Sequence, residues 1–297
     1  MPALLESSIP GLPVRRGKVR DVYDLGEQLL IVASDRLSAF DVVLPTGIPD
    51  KGKILTQISN FWFKFFGKQV QHHLIVTEAG DFPPSLRPYA SQLHGRAVVV
   101  RKTRVIPIEC IVRGYLTGSG WKDYQKSGSI CGISLPAGLQ LSQQLPRPIF
   151  TPTTKAEQGH DEAISFKAAA AQVGETTMRQ VREASLKLYK LAAEYARTKG
   201  IIIADTKFEW GIPAGQTDPI LIDEALTPDS SRFWPADQFA VGREQASYDK
   251  QYVRNYLETL TWNKTYPGPA LPDEVVANTR AKYIEAYEKI TGMKFVA

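Results

Sequence analysis

The chain has 297 residues, 43% of them apolar and 23% charged, an ordinary globular composition with length for one large domain or two smaller ones. Its 36 basic and 31 acidic residues leave a net charge of +5 that is interspersed rather than gathered in a tail; this favours anionic small molecules and supplies no aromatic-interleaved basic tract for nucleic acid. Cys110 and Cys131 lack CxxC spacing, which argues against a zinc or disulfide framework. With no signal-like N-terminus and no run of about 18 apolar residues, a soluble cytoplasmic protein without membrane or nucleic-acid partners is expected.

In chain order, KVRDVYDLG and QLLIVAS read as two strands joined by a turn at Leu25, Gly26 and Glu27, a hairpin. The spacing of Ile54, Ile58, Phe61, Trp62 and Phe65 predicts a helix in KILTQISNFWFKFF, stopped by Gly67. Strands follow at HLIVTEA, GRAVVVRKTRV and PIECIVRGYL, the last running into the glycine-rich RGYLTGSGWKDY. From Leu135 to Gly159 the abundance of Pro, Gln, Ser and Thr reads as a long connection. Helices are expected in DEAISFKAAAAQVG and in ETTMRQVREASLKLYKLAAEYARTKG, where Met178, Val181, Leu188, Leu191 and Tyr195 form a core stripe. The strand GIIIADTKFEW, the link GIPAGQTDP and the strand ILIDEAL come next, and helices SYDKQYVRNYLETL and PDEVVANTRAKYIEAYEKITG close the chain.

The chemistry concentrates at a few of these elements. Alternate residues of a strand share a face, so Asp205, Lys207 and Glu209 point one way, and antiparallel pairing across the link brings Glu209 near Asp223 and Glu224. Such carboxylates need a cation: Mg²⁺, which suits oxygen-only ligands and substrate phosphates, or simply the lysine in a surface salt bridge. Asp229, Ser230, Ser231 and Arg232 follow in a turn-prone stretch able to hold phosphate or carboxylate, although the same residues make ordinary turns. Arg113 ends an apolar strand and calls for an anionic partner, while Gly114, Gly118 and Gly120 allow close backbone approach around Ser119. Near the N-terminus, RRGKVRD puts Lys18 and Arg20 beside Gly17 without the spacing of a Walker A loop. SDRLSAFD crowds Ser34, Asp35, Arg36, Ser38 and Asp41 into eight positions, as a ligand loop or as a solvated loop or cap. The four histidines, His72, His73, His94 and His160, show no metal-site spacing, and no GxSxG elbow is present.

RGKVRDVY, ASDRLSAFD, IPIECIVRGYLTGSGW, DTKFEWG and DEALTPDSSRFW, in this order from residue 16 to 234, resemble the motif series of the SAICAR synthetases (phosphoribosylaminoimidazole-succinocarboxamide synthases), in their long, single-domain-type branch. The resemblance implies an α+β fold, distantly like ATP-grasp enzymes, with a small β-rich lobe at 1–105 and a larger lobe at 106–297. It implies an ATP- and Mg²⁺-dependent ligase of purine biosynthesis that joins carboxyaminoimidazole ribonucleotide (CAIR) to L-aspartate, giving SAICAR, ADP and phosphate through an acyl phosphate. Carried over by motif, Lys18, Arg20, Lys155 and Lys207 would meet ATP phosphates, with adenine on RKTRVIPIE and Glu109 near the nucleoside. Glu209 and Asp223 would hold Mg²⁺ and, with Lys207, serve catalysis; Asp41, Arg113, Ser119, Ser231 and Arg232 would line the ribonucleotide site. A monomer or small homo-oligomer is expected. Another ATP-dependent carboxylate–amine ligase, a small-molecule kinase and a non-catalytic nucleotide-binding module stay open as alternatives.

Overall fold

The structure, a computed structural model, describes residues 2–155, 161–248 and 250–297. Strands β1 (Val14–Arg16), β2 (Arg20–Asp24) and β3 (Gln28–Ala33) open the chain, followed by a short ladder of β4 (Ser38–Ala39) and β5 (Val42–Val43) and by helix α1 (Lys51–Phe66). Then come β6 (Leu74–Val76), the single-turn α2 (Ala90–Leu93), β7 (Ala97–Arg101), β8 (Thr103–Val105) and β9 (Ile108–Tyr115). Helix α3 (Gly118–Ser127) and the ladder of β10 (Ser129–Ile130) with β11 (Ile133–Ser134) lead to the long β12 (Gln144–Thr154). Helices α4 (Phe166–Val173) and α5 (Glu175–Thr198) precede β13 (Ile201–Pro213), β14 (Ile220–Ile222) and β15 (Ser231–Pro235), and α6 (Gln251–Glu258) and α7 (Asp273–Thr291) complete the described chain.

Among the described residues these elements form two main antiparallel sheets. One has the order β1-β2-β3-β7-β6; the other runs β12-β9-β13-β14, with β8 and β15 also pairing with β13. The predicted β2–β3 hairpin is present. GRAVVVRKTRV is not one strand: it breaks at Lys102, so that β7 stays in the first sheet and β8 pairs with β13 in the second. The expected loop from Leu135 on contains β12, an edge strand of the second sheet, where prolines that lack an N–H are tolerated. Residues 156–160, the end of that predicted loop and the site of His160, lie outside the described residues, as does Asp249 in the predicted helix before α6.

Separate apolar clusters follow the sheets. Tyr23, Leu30, Val32, Phe82, Leu86 and Val99 fill the first. The larger core collects Ile54, Ile58, Trp62, Phe63 and Phe66 of α1, Met178, Val181 and Leu188 of α5, Phe208 and Trp210 of β13, and Tyr283 and Tyr287 of α7. Phe65 lies at the margin of the α1 stripe, 39% exposed, and Phe63 and Phe66 take the buried positions.

Strand β13 organises the site. Its register against β15 slips between Ile203 and Asp205, a bulge that inserts one residue. Before it, Ile201 and Ile203 face the large core; after it, Phe208 and Trp210 do, so the apolar face changes from odd to even positions. Asp205, Lys207 and Glu209 are thereby turned together to the opposite face.

Candidate active site

The polar face of the second sheet comes from three strands in register. Asp205 on β13 lies opposite Arg113 on β9, and Thr153 on β12 lies opposite Glu109 on β9. Lys207 then occupies the centre: its Nζ donates to Glu109 Oε1 at 2.6 Å and to Glu209 Oε1 at 3.2 Å, while Thr153 donates to the second Glu109 oxygen at 3.2 Å. Lys155, just past β12, is bonded to the other Glu209 oxygen. Burial by itself would raise the Glu209 pKa, but the ammonium groups of Lys207 and Lys155 outweigh it and bring it down to about 2. Burial likewise opposes the Lys207 ammonium, and Glu209 and Glu109 more than reverse this, holding its pKa above the ordinary lysine value.

Two positions away, Asp205 holds a pair of arginines. Its Oδ2 accepts from Arg113 Nη1 at 3.2 Å and from Arg232 Nη1 at 2.5 Å. Arg113 is buried and further fixed by Nε–H to Thr151 Oγ1 at 3.0 Å and Nη2–H to Ser119 Oγ at 3.0 Å. Asp205 therefore serves the arginines.

The third group comes from β2 and the end of β14. Arg20 is ion-paired with Asp223 and lies 2.8 Å from Glu224. Asp223 has left-handed backbone, φ 64°, which ends β14 and breaks its side-chain alternation. The Asp223 carbonyl accepts from His73 Nε2 at 3.2 Å. Burial, with help from His72 and Arg20, pushes the His73 pKa down to about 3, so the ring is neutral and can donate. Lys18 meets Asp41 at 2.6 Å in an exposed ion pair.

Glu209 and Asp223 offer hard oxygen donors suited to Mg²⁺, a cation that takes one or two carboxylates and completes its shell with water and phosphate. Among the described residues no three His, Cys, Asp or Glu side chains converge as a ready-made cage. The carboxylates are instead neutralised by Arg20, Lys155 and Lys207.

A cavity of about 850 Å³ opens beside the arginines, lined by Asp41, Gly118, Ser119, Arg232, Gln251 and Arg254 among others. Asp41, Ser119 and Arg232, all predicted for the ribonucleotide, meet here. Arg113 supports them from behind. Ser231 is not brought to this wall: it is buried on the core face, sharing a 2.8 Å hydrogen bond with Thr206. A narrower slot between the first sheet and α1 contains Val19, Ile31, Leu74 and Val98 and shares Arg20, Asp223 and Glu224 with the phosphate-side group.

The packing sharpens the sequence reading at two of these segments. A Cβ at Gly114 would strike the Tyr189 hydroxyl, so this glycine serves packing, whereas Gly118 lines the cavity, where a Cβ would strike the Arg232 guanidinium; one at Gly120 would crowd Arg113 at 3.2 Å. Gly118 and Gly120 lie in the first turn of α3. In SDRLSAFD, Asp35 and Arg36 are scaffold: Asp35 takes Arg96, while Arg36 binds Asp21 at 2.9 Å and the carbonyls of Gly17 and Lys18 at 3.0 and 3.1 Å, fixing the loop that carries Lys18. Sequence reasoning gave no role to His73 or Tyr189, whose partners are all distant in the chain.

A mixed α/β chain with lysines, arginines and carboxylates assembled on one sheet face beside a large cavity defines an enzyme for small anionic substrates. The sequence profile described as SAICAR synthetase matches residues 13–269. The phosphoribosylaminoimidazole-succinocarboxamide synthase of Syntrophotalea carbinolica is 57% identical over 296 residues, covering 99% of each chain, and that of Desulfosudis oleivorans is 58% identical over 288 residues, covering 96% of this chain and 98% of its own. Among solved structures, the SAICAR synthase of Saccharomyces cerevisiae complexed with SAICAR matches with a TM-score of 0.90 and 47% identity over 99% of this chain and 100% of that one. A type-2 SAICAR synthetase in complex with ADP matches with a TM-score of 0.72 and 26% identity over 96% and 100%. The chain belongs to the SAICAR synthetase family and is a ligase of purine biosynthesis. No helix among the described residues is long and apolar enough to cross a membrane.

Proposed function

We propose that the chain uses ATP to activate the carboxylate of CAIR as an acyl phosphate and then joins it to the amine of L-aspartate. The observation that carries this reading is the placement of Asp205 and Lys207 two residues apart on one face, roughly 7 Å along the strand. The arginine group and the lysine–carboxylate group are thus adjacent, as transfer of a phosphoryl group between two bound anions requires.

Lys18, Arg20, Lys155 and Lys207 offset the charge of the nucleotide phosphates, with Glu109 toward the nucleoside and the base along Arg101–Glu109. Glu209 and Asp223 would hold Mg²⁺, which when bound would offset the phosphate charge and the charge developing on the transferred group. Asp41, Ser119 and Arg232 hold the ribonucleotide; Arg113 acts through Asp205 and Ser119, and Ser231 through the backbone that carries Arg232. A carboxylate oxygen of CAIR attacks the terminal phosphorus and ADP leaves. The neutral amine of aspartate then attacks the acyl carbon, the C–O bond to phosphate breaks, and the amide, phosphate and a proton are released. Fixed cations do most of this by electrostatics, which accounts for a site without a protein nucleophile.

That one relative was solved with SAICAR and another with ADP supports small-molecule substrates of these two kinds. We read the two sheets as the centres of two lobes, 1–105 and 106–297, in an arrangement distantly like ATP-grasp, with α1 and β8 of the first reaching into the core and the sheet of the second. A cytoplasmic monomer or small homo-oligomer, without nucleic-acid or membrane partners, fits this role. The test is ADP release with each substrate omitted in turn. Dependence on both CAIR and L-aspartate is expected; release with CAIR alone at the full rate would indicate a kinase, and ATP binding without release a non-catalytic module.

A further inference from the structure

The strand that carries the site depends on a contact from the core side of the sheet. Ile203 faces the core and Asp205 faces the site, and the inserted residue Ala204 makes both possible within three positions. Pairing of β13 with β9 runs no further toward the β13 N-terminus than Asp205 opposite Arg113, so the Ile203 carbonyl lies past the last paired position of that ladder. It accepts a 2.7 Å hydrogen bond from the Tyr189 hydroxyl instead. Tyr189 comes from α5 and is 2% exposed. Its hydroxyl stands where a side chain at position 114 would stand, and Gly114 directly follows Arg113 on β9.

A cavity of about 640 Å³, lined in part by Gly114, Tyr115, Tyr189, Ile202 and Ile203, borders the contact. Burial raises the Tyr189 pKa above the ordinary tyrosine value, so the hydroxyl remains a donor. Without that donor the buried carbonyl would be left unpaired, and a local shift of the bulge is the response that costs least, because removing the bulge outright would turn Asp205, Lys207 and Glu209 into the core.

We infer that Tyr189 is a positioning residue for the reaction: its hydroxyl, lodged against Gly114, fixes the bulge that aims Asp205, and through Asp205 the guanidinium of Arg232, at the ribonucleotide. This rests on the proposed reading of the site, whose failure would be seen separately, in wild-type protein that does not couple ADP release to CAIR and L-aspartate.

The test compares Tyr189→Phe, which removes only the hydroxyl, with Ser185→Ala. Ser185 also sits on α5 and accepts from Trp210 Nε1 on β13 at 3.0 Å, away from the bulge. Tyr189→Phe is expected to raise the KM for CAIR about tenfold while the KM for ATP stays within about twofold, because the displacement falls on Asp205 and Arg232 first. Ser185→Ala is expected to lower Tm and leave both KM values in place. Gly114→Ala, whose methyl displaces the hydroxyl without changing Tyr189, is expected to reproduce the Tyr189→Phe split and decides the matter if Tyr189→Phe does not fold. Unchanged KM values, or equal rises for CAIR and ATP, in the folded variants would overturn the inference.

Discussion

Lys207 donates to Glu109, a residue 98 positions earlier, at 2.6 Å across two neighbouring strands, and in doing so keeps two buried carboxylates from facing each other uncompensated. Lys207→Met therefore removes a structural cation and, on the proposed mechanism, a catalytic one at once. We expect a loss of roughly 2 kcal/mol in urea unfolding, below the full penalty for a broken buried pair because Lys207 remains a third open to solvent. Turnover measured by ADP release should fall on the order of 10²- to 10³-fold, as for loss of one preorganised donor.

Asp223→Asn keeps the shape at the end of β14 and removes a charge. Turnover is expected to drop about 10²-fold or more, with Tm moving by only a few degrees. Chelation with EDTA should stop wild-type turnover, and added Mg²⁺ should restore it; the variant should need more Mg²⁺. Wild-type rates and an unchanged Mg²⁺ requirement in Asp223→Asn would remove this residue from the metal role.

Arg232→Ala takes away the arginine that lines the cavity while Arg113 stays on Asp205. Loss of a charge-assisted bond of about 2 kcal/mol corresponds to a rise of roughly 30-fold in the KM for CAIR, with ATP little affected. The opposite split would assign the loop to the nucleotide.

Acid stability should fall in two windows. His73 is neutral in the fold, with a pKa near 3 against 6.5 for an ordinary histidine, so unfolded protein binds the proton first and stability is lost as pH drops below about 6.5. Between pH 7 and 5 this amounts to about 2 kcal/mol, and His73→Gln should remove it. Glu209, at about 2 against 4.5, contributes stability above 4.5 that disappears as pH falls toward 2. Glu209→Gln should flatten that lower window. Chemical denaturation from pH 7 to 2 measures both.

The sequence carried the site's chemistry more fully than its geometry. Period-two alternation sufficed to put Asp205, Lys207 and Glu209 on one face, because strand geometry is local. Their partners were beyond reach: Arg113 and Glu109 are brought in by register between strands about ninety positions apart, so Asp205 looked like a companion of Lys207 when it is the anchor of two arginines. Strand β12 was hidden by Pro146, Pro148 and Pro152, which suit an edge strand as well as a loop. Helix α3 was hidden by Gly118 and Gly120, poor helix formers whose helix is held by Trp121 and Tyr124 packing on Ile130, Leu145 and Ile149. In DSSRFW the turn chemistry was real but ended at Ser230, and β15, which begins at Ser231, sends Ser231 and Arg232 to opposite faces.

The most direct measurement follows oxygen. With CAIR labelled by ¹⁸O in its carboxylate, activation as an acyl phosphate moves one carboxylate oxygen into the released phosphate at each turnover, so inorganic phosphate should carry one ¹⁸O per SAICAR formed. Phosphate without label, at the same yield of SAICAR, would contradict transfer of the phosphoryl group from the lysine–carboxylate group to the ribonucleotide held beside Asp205.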